Sequence, residues 1–314
     1  MRVYGAKQQR NKLVRPKKSD LGLKKAPADY HSVKRFLTNE CADADYLILA
    51  VDMLLYGGVV PSRLHYLSQE EIFSRVDFIK TLKENNPKLK IFAFSLVMHC
   101  PTYSSGDEEP DYYEKYGKQI FRYGVNEHKY IENLITKDEY EAEKSRLNVP
   151  EKYLNDYLSR RKENLAALFR TLKLVGGSID EFLILQDDSN PYGFTALDQR
   201  KVKEFTKKEE KNIEVHSGAD EGGLTLLARI LTKIKGYTPK ICPIYPKEEC
   251  KNVIPLFEDK EVYKSIEAQI ESAGASLSDE KDSEIYLFCN LPVGKMQNID
   301  NLKGRQYDER DCRL

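Results

Sequence analysis

The stretch FLILQDDSNPYG, residues 182–193, joins an apolar run to two adjacent carboxylates and decides how the sequence is interpreted. Four consecutive apolar residues bounded by turn-forming residues are typical of a strand that is buried on both faces. Similar apolar runs occur at residues 46–51, 91–98, 213–215, 241–245 and 285–289. The sequence therefore predicts six buried strands.

Helical patterns lie between these runs, at residues 68–83, 150–174, 195–210, 222–235 and 261–273. The first of them opens with Ser68 and Glu71, which have the spacing of a capping box. Strands that alternate with helices pair in parallel through right-handed crossovers. The predicted fold class is α/β. We expect a mainly parallel (β/α) barrel-like fold, either complete or lacking some of its strands. The alternative is an open doubly wound sheet.

Length, charge and cysteine content limit the class of protein. The 314 residues carry 50 Lys and Arg against 50 Asp and Glu, so this charge balance disfavours nucleic acid as a partner. No run approaches the ~20 apolar residues of a membrane-spanning helix, and no secretory signal precedes the first strand. The six cysteines form no C-x-x-C pair. We expect a cytoplasmic protein with a small-molecule or oligosaccharide substrate, no membrane partner, no metal and no cofactor.

The chain is predicted to contain an arm and one domain. Residues 1–25 include nine Lys or Arg and one acid, which indicates a flexible basic arm. Residues 26–314 form a single (β/α) domain. Within it, residues 100–129 contain five tyrosines and are predicted to be an inserted loop. Such a loop is either a mobile cover over a site or a packed outer wall of the sheet.

Polar residues follow the first strand, in the order Asp52, Tyr56, Gly57, Gly58 and Arg63. Ligands of parallel α/β proteins bind beyond the carboxyl ends of the strands, and paired glycines allow the backbone to approach a ligand closely. These five residues are predicted to bind substrate. The structural alternative is a tight turn that Asp52 caps.

Asp187 and Asp188 are the strongest catalytic candidates. Adjacent carboxylates at the end of a buried strand are electrostatically costly, and such a cost indicates function. Asn190 and Tyr192 follow in the same turn and are predicted to contact substrate. The alternative is an Asx-turn whose acidic side chains are solvated.

Two further sets lie at the ends of later strands. Asp220 and Glu221 follow residues 213–215, and Asn290 follows the last run. All three are predicted to bind substrate. For the acidic pair, capping of the next helix explains the residues equally well, because carboxylates are favoured at a helix amino terminus.

These motifs resemble a bacterial family known as domain of unknown function 4127. The matching segments are residues 52–58 with 62–63, 113–117, 157–164 (YLSRRKEN), 186–193 (QDDSNPYG) and 218–229 (GADEGGLTLLAR). The resemblance implies that a family strand before residue 46 and another after residue 314 are missing, so that the complete fold would be an eight-stranded barrel. It also implies an arginine where His99 stands.

In such a barrel Asp187 and Asp188 would end the fourth strand. That position is similar to the acidic pair of retaining hexosaminidases that use the acetamido group of the substrate as nucleophile. The expected function is a glycoside-hydrolase-like enzyme for a polar sugar, including an N-acetylated one, with Asp188 as general acid/base and Asp187 orienting the acetamido group. The alternatives are a hydrolase dependent on Mg²⁺ or Mn²⁺ and a carbohydrate-binding protein without turnover.

Overall fold

The computed structural model of the chain describes residues 12–187, 190–209, 213–255, 258 and 260–291. Its strands are β1 (Tyr46–Ala50), β2 (Lys90–Val97), β3 (Glu181–Gln186), β4 (Glu214–Ser217), β5 (Lys240–Ile244), β6 (Ser276–Leu277) and β7 (Ile285–Phe288). All six apolar runs form strands, as predicted. The short β6 carries no apolar run and was not predicted.

The strands form two parallel sheets. One has the order β1-β2-β3-β4, and the other has the order β6-β5-β7. The pairing of Leu183 with Glu214 and of Leu185 with His216 confirms that the run at residues 213–215 lies beside β3. In the second sheet β5 is the central strand and pairs with both β6 and β7. The described strands form no closed barrel, and the parallel α/β class is confirmed.

The α-helices are α1 (Tyr30–Glu40), α2 (Val51–Tyr56), α3 (Val59–Ser62), α4 (Gln69–Asn85), α5 (Tyr113–Ile131), α6 (Lys137–Arg146), α7 (Glu151–Leu172), α8 (Phe194–Lys208), α9 (Gly222–Lys235) and α10 (Val262–Ser272). The five predicted helices correspond to α4, α7, α8, α9 and α10. The Ser68 side chain accepts a hydrogen bond from the Glu71 amide at 3.2 Å and begins α4 as expected. None of the helices in the described part of the chain is long and apolar enough to cross a membrane.

Helices cover both faces of the four-stranded sheet. Ile91, Ala93 and Ile184 pack into a large core together with side chains of α1, α2, α4 and α7. On the opposite face, Phe92 and Leu183 pack against side chains of α9. This burial on both faces accounts for the continuous apolar runs of β2 and β3.

The second sheet departs from the prediction of buried strands. Every residue of β7 is exposed, and Phe288 has 68% of its surface accessible. An apolar run indicates burial only when another layer covers the strand, which local sequence does not specify.

The segment predicted as a long loop is only partly a loop. Residues 99–112 are irregular, whereas α5 begins at Tyr113, a fully buried residue. Gly117 and Gly124 weaken the helical pattern of α5 because glycine disfavours helices. Both glycines allow close packing: a Cβ at Gly117 would lie 2.7 Å from the Tyr103 carbonyl oxygen, and one at Gly124 would lie 2.7 Å from the Phe194 ring.

The part of the basic arm at residues 12–25 contacts the loop that follows β2. Lys24 pairs with Asp107 at 3.0 Å, and Lys25 pairs with Asp111 at 2.7 Å. The remainder of the predicted arm, residues 1–11, lies outside the described residues.

Candidate functional site

Three neighbouring strands each deliver an ionisable side chain to the same edge of the sheet. Asp52 lies just beyond β1, His99 just beyond β2 and Asp187 directly after β3. Because the strands are parallel, their carboxyl ends meet at this edge. We call Asp52, Arg63, His99, Glu109 and Asp187 the carboxyl-edge cluster.

Arg63 and His99 hold the same oxygen of Asp187. The Arg63 guanidinium donates to Asp187 Oδ2 at 3.0 Å, and His99 Nδ1 lies 3.2 Å from that oxygen. Both side chains also reach Glu109 Oε1, at 3.0 Å from Arg63 and 2.7 Å from His99 Nε2. Two carboxylates therefore share one guanidinium and one imidazole in a largely buried setting. Such sharing fixes the orientation of both carboxylates.

The predicted pair Gly57 and Gly58 positions Arg63. Their φ angles are 83° and 146°, values that side chains disfavour, and a Cβ at Gly57 would lie 2.6 Å from the Ala28 nitrogen. The Gly57 carbonyl accepts a hydrogen bond from Ala28 at 3.0 Å. The turn redirects the chain from α2 into α3, at whose end Arg63 lies. Backbone geometry thus explains both glycines, and contact of these glycines with substrate remains a prediction.

Asp52 is the most strongly perturbed acid at this edge. Its Oδ2 accepts hydrogen bonds from Ser95 Oγ at 2.9 Å and from the Leu96 amide at 3.1 Å. Burial raises the pKa of Asp52 to about 6, although these hydrogen bonds and the charge of Arg63 act to lower it. Asp52 therefore exchanges its proton near neutral pH, in contrast to an ordinary aspartate.

A small cavity lies inside the cluster. Its volume is about 20 Å³, and its lining includes Asp52, Tyr56, Arg63, His99 and Asp187. About 10–15 Å³ is enough for one water molecule, so the cavity accommodates a water but not a sugar ring. Tyr56 stacks on His65 at 4.6 Å between ring centroids. Its buried hydroxyl has no hydrogen-bond partner among the described residues.

Helix α7 supports His99 from behind. Arg161 Nη1 and the Tyr157 hydroxyl both donate to the His99 carbonyl oxygen, at 2.9 and 3.1 Å. Asp198 on α8 in turn binds the Arg161 guanidinium at 2.7 Å. Arg160 and Arg161 are buried and Asn164 is half-buried, so this face of α7 is not a solvated surface.

Asn164 joins helix α7 to the segment around Ser62 that follows β1. Its Nδ2 donates to the Ser62 carbonyl oxygen at 2.8 Å, and its Oδ1 lies 2.9 Å from His65 Nε2. Burial lowers the pKa of His65, which keeps this imidazole neutral near pH 7. Asn164 therefore fixes the segment from which Arg63 projects.

The remaining predicted site residues lie away from the cluster's contacts. Asn190 is half-buried, and Tyr192 packs edge-on against His128 at 5.3 Å. Asp220 and Glu221 are exposed beside the amino terminus of α9, and no hydrogen bond or ion pair within the described ranges joins them to the cluster. Asn290 is exposed and follows β7 of the second sheet.

Asp188, the predicted general acid/base, lies outside the described residues. Sequence reasoning missed His99 and Glu109 as cluster members. His99 follows its strand just as Asp52 and Asp187 follow theirs, so the same rule identifies it. Glu109 has no comparable signal, because only the path of the loop after β2 brings it to Arg63.

Within the described ranges, no group of three or more His, Cys, Asp or Glu side chains is arranged to hold a metal ion. The acidic members of the cluster instead bind Arg63, His99, Ser95 and a backbone amide.

The fold and the site together define an α/β protein with parallel strands and an ionisable cluster at their carboxyl ends. The family model described as "Protein of unknown function (DUF4127)" matches residues 3–312, and the chain belongs to this family. Comparison with curated proteins and with solved structures finds no match.

Proposed function

We propose that this chain is a glycoside-hydrolase-like enzyme that acts on a polar, N-acetylated sugar at the carboxyl-edge cluster. The observation that carries the proposal is the distinct position of Asp187 among the cluster's carboxylates. The Asp187 side chain is 25% exposed, whereas that of Glu109 is 2% exposed and Asp52 is 8% exposed as a whole residue. Asp187 is therefore both held in place and accessible to a substrate.

The other two carboxylates are poorly suited to attack a sugar. Glu109 Oε1 is bound by Arg63 and His99, and Asp52 Oδ2 is bound by Ser95 and Leu96. Burial also favours the protonated form of Asp52, which is not nucleophilic. These features favour a mechanism in which the substrate supplies its own nucleophile.

In the proposed reaction the acetamido oxygen attacks the anomeric carbon while the bond to the leaving oxygen breaks. Asp188 donates its proton to the leaving oxygen, and Asp187 accepts a hydrogen bond from the acetamido nitrogen, which becomes positively charged. Water then attacks the anomeric carbon and gives a proton to Asp188, while the bond between that carbon and the acetamido oxygen breaks and the neutral acetamido group is restored. The role of Asp188 rests on its place next to Asp187 in the sequence.

Arg63 and His99 act on Asp187 and not on the sugar. Arg63 donates to Oδ2 and His99 Nδ1 lies 3.2 Å from it, so the two side chains set the orientation of the carboxylate before the substrate arrives. Fixed charges of this kind stabilise charge that develops in a transition state without further reorganisation. Arg63 and His99 are thus positioning residues in the proposal.

The test uses α- and β-linked 4-nitrophenyl glycosides with either a 2-acetamido or a 2-hydroxyl group. We expect turnover only of acetamido substrates, and we expect Asp188→Asn to lower kcat by about 10²–10⁴-fold, the contribution of a general acid/base. Asp77→Asn is the matched control, since Asp77 pairs with Lys80 on the outer helix α4.

Three results would contradict parts of this proposal. Equal turnover of 2-hydroxyl substrates excludes assistance by the acetamido group. Activity of Asp188→Asn within about twofold of the unchanged protein removes Asp188 from the mechanism. Loss of activity in a chelator, restored by Mg²⁺ or Mn²⁺, favours the metal-dependent hydrolase instead.

A further inference from the structure

A groove lined by tyrosines opens beside the carboxyl-edge cluster. Its volume is about 690 Å³, within the usual range of ~300–1,000 Å³ for small-molecule sites. Arg63 borders both this groove and the small cavity inside the cluster. We call it the tyrosine groove, after the four tyrosines in its lining, Tyr66, Tyr112, Tyr116 and Tyr153.

Three of these rings are fixed against one another. Tyr112 and Tyr153 stack with centroids 4.7 Å apart, and Tyr116 lies 5.6 Å from Tyr153. The Tyr112 hydroxyl donates to Asp156 at 2.8 Å. The rings therefore form a rigid wall, which requires little ordering when a ligand binds.

Tyr66 differs from the other three because it is 86% exposed. The Arg160 guanidinium lies 4.5 Å from the centre of its ring and supports it from one side. A large aromatic side chain that is exposed and yet supported offers a flat apolar face to a ligand. Sugar rings present C–H groups to such faces, and the tyrosine hydroxyl suits their polar rim.

The basic side chains of the groove differ in their pairing. Three of the four, Lys25, Arg63 and Arg160, take part in ion pairs, whereas Lys115 is exposed and forms no ion pair with a described residue. Arg160 has a side chain that is 6% exposed and binds Asp156 at 3.0 Å, while its Nε is buried without a partner among the described residues. Lys115 lies over the Tyr116 ring at 5.2 Å.

We infer that the tyrosine groove binds an anionic sugar unit, with its ring on Tyr66 and its carboxylate or phosphate group on Lys115 and Arg160. A neutral sugar would leave the Lys115 ammonium without an anionic partner. Guanidinium and ammonium groups bind either anion well. The inference rests on the proposed function only in that the groove would hold the unit next to the one cleaved.

Isothermal titration calorimetry of the full chain tests the inference without turnover. The probes are trigalacturonic acid, glucose 6-phosphate and the neutral sugars maltotriose and glucose. We expect at least one charged probe to bind ten-fold or more tightly than its neutral counterpart, with an affinity that falls as salt rises. The charged probe that binds more tightly than its neutral counterpart identifies the anion as carboxylate or phosphate.

Variants locate the binding in the groove. Lys115→Gln is expected to remove most of the preference for the charged probe, and Tyr66→Ala to weaken binding of that probe about ten-fold. Lys118→Gln is the matched control, because Lys118 is an exposed lysine of the same helix outside the groove. It is expected to leave binding unchanged.

The outcomes separate this inference from the proposed function. Equal binding of charged and neutral probes, or unchanged binding in Lys115→Gln, overturns the inference even if glycosides are hydrolysed. Charged-probe binding that depends on Lys115 and Tyr66 supports it even if no glycoside is hydrolysed, and in that case only the catalytic proposal fails.

Discussion

The ionisable residues of the four-stranded sheet differ between its amino edge, where the strands begin, and its carboxyl edge, where the strands end. The difference lies in how completely their partners compensate for burial. At the amino edge, Asp180 precedes β3 and accepts hydrogen bonds from Lys83, Lys90 and the Ile91 amide, at 3.1, 2.9 and 2.9 Å. Partial burial acts to raise the pKa of Asp180, but these hydrogen bonds outweigh it and hold the pKa below its ordinary value. Each contact stabilises the charged form.

At the carboxyl edge the compensation is incomplete. Burial raises the pKa of Asp52 to about 6, and Glu109 Oε2 is buried without a partner among the described residues. The same strands thus begin at a charge network that stabilises the fold and end, on the opposite side, at a site with unused hydrogen-bonding capacity. Perturbed and incompletely paired groups are typical of functional sites.

The largest expected effect on stability comes from the arginine at the carboxyl edge. Arg63→Met leaves Asp187 and the nearly inaccessible Glu109 without their guanidinium. Removing one partner from a buried ion pair costs about 3–5 kcal/mol. Urea unfolding at pH 7 is the measurement, and a loss below about 1 kcal/mol would show that the cluster is less coupled than its distances indicate.

Arg229 at the amino edge is the matched comparison. It binds Glu181 at 3.0 Å and Glu214 at 2.6 Å, but the side chains of these glutamates are 22% and 40% exposed, and Lys233 remains 2.6 Å from Glu181. Water and Lys233 can replace the lost contacts, so we expect Arg229→Met to cost about 1–3 kcal/mol. A larger loss than in Arg63→Met would reverse the comparison of the two edges.

The second prediction uses the pH dependence of Asp52. Its folded-state pKa of about 6 exceeds the ordinary value of 3.8, so the folded chain binds a proton that the unfolded chain has released between these values. The contribution of this proton to the free energy of unfolding is fully present below about pH 4 and is lost as the pH rises to about 6. The total is at most about 3 kcal/mol.

Asp52→Asn removes this titration while its side-chain oxygen can still accept from Ser95 and Leu96. We expect the stability gain of the variant over the unchanged protein to grow from pH 4 to 6 and then to stay level. Urea unfolding across this pH range measures it. A constant difference at all pH values would mean that the Asp52 pKa is unperturbed.

The smallest expected effect is that of Lys90→Gln at the amino edge. Lys90 is 55% exposed, and Asp180 retains Lys83 and the Ile91 amide. Exposed ion pairs contribute about 0.2–1 kcal/mol, so the loss is expected within that range. A loss above about 2 kcal/mol would show that the amino edge lacks the redundancy described here.

The sequence predicted the strands well because burial on both faces leaves a continuous apolar run, as in β2 and β3. The rule that parallel strands bring their carboxyl ends together also led to Asp52, Arg63 and Asp187, which the structure places at one edge of the sheet, and their roles toward a substrate stay predictions. The prediction from sequence failed for β7 because exposure depends on which layer covers a strand. It failed for Glu109 and Arg161 because a loop path and a helix rotation, both set by tertiary packing, place these residues.

The most direct test of the two-edge account compares Asp187→Asn with Asp180→Asn, the same substitution at opposite ends of β3. Turnover of the acetamido glycoside and urea unfolding are measured for both. We expect Asp187→Asn to lower kcat by about 10²–10³-fold. We expect its stability to change by less than about 1 kcal/mol, because Arg63 still binds Glu109 and can donate to the side-chain oxygen at position 187. Asp180→Asn should lose about 1–3 kcal/mol of stability and keep kcat within about twofold. Equal loss of kcat per folded molecule in both variants would contradict the account.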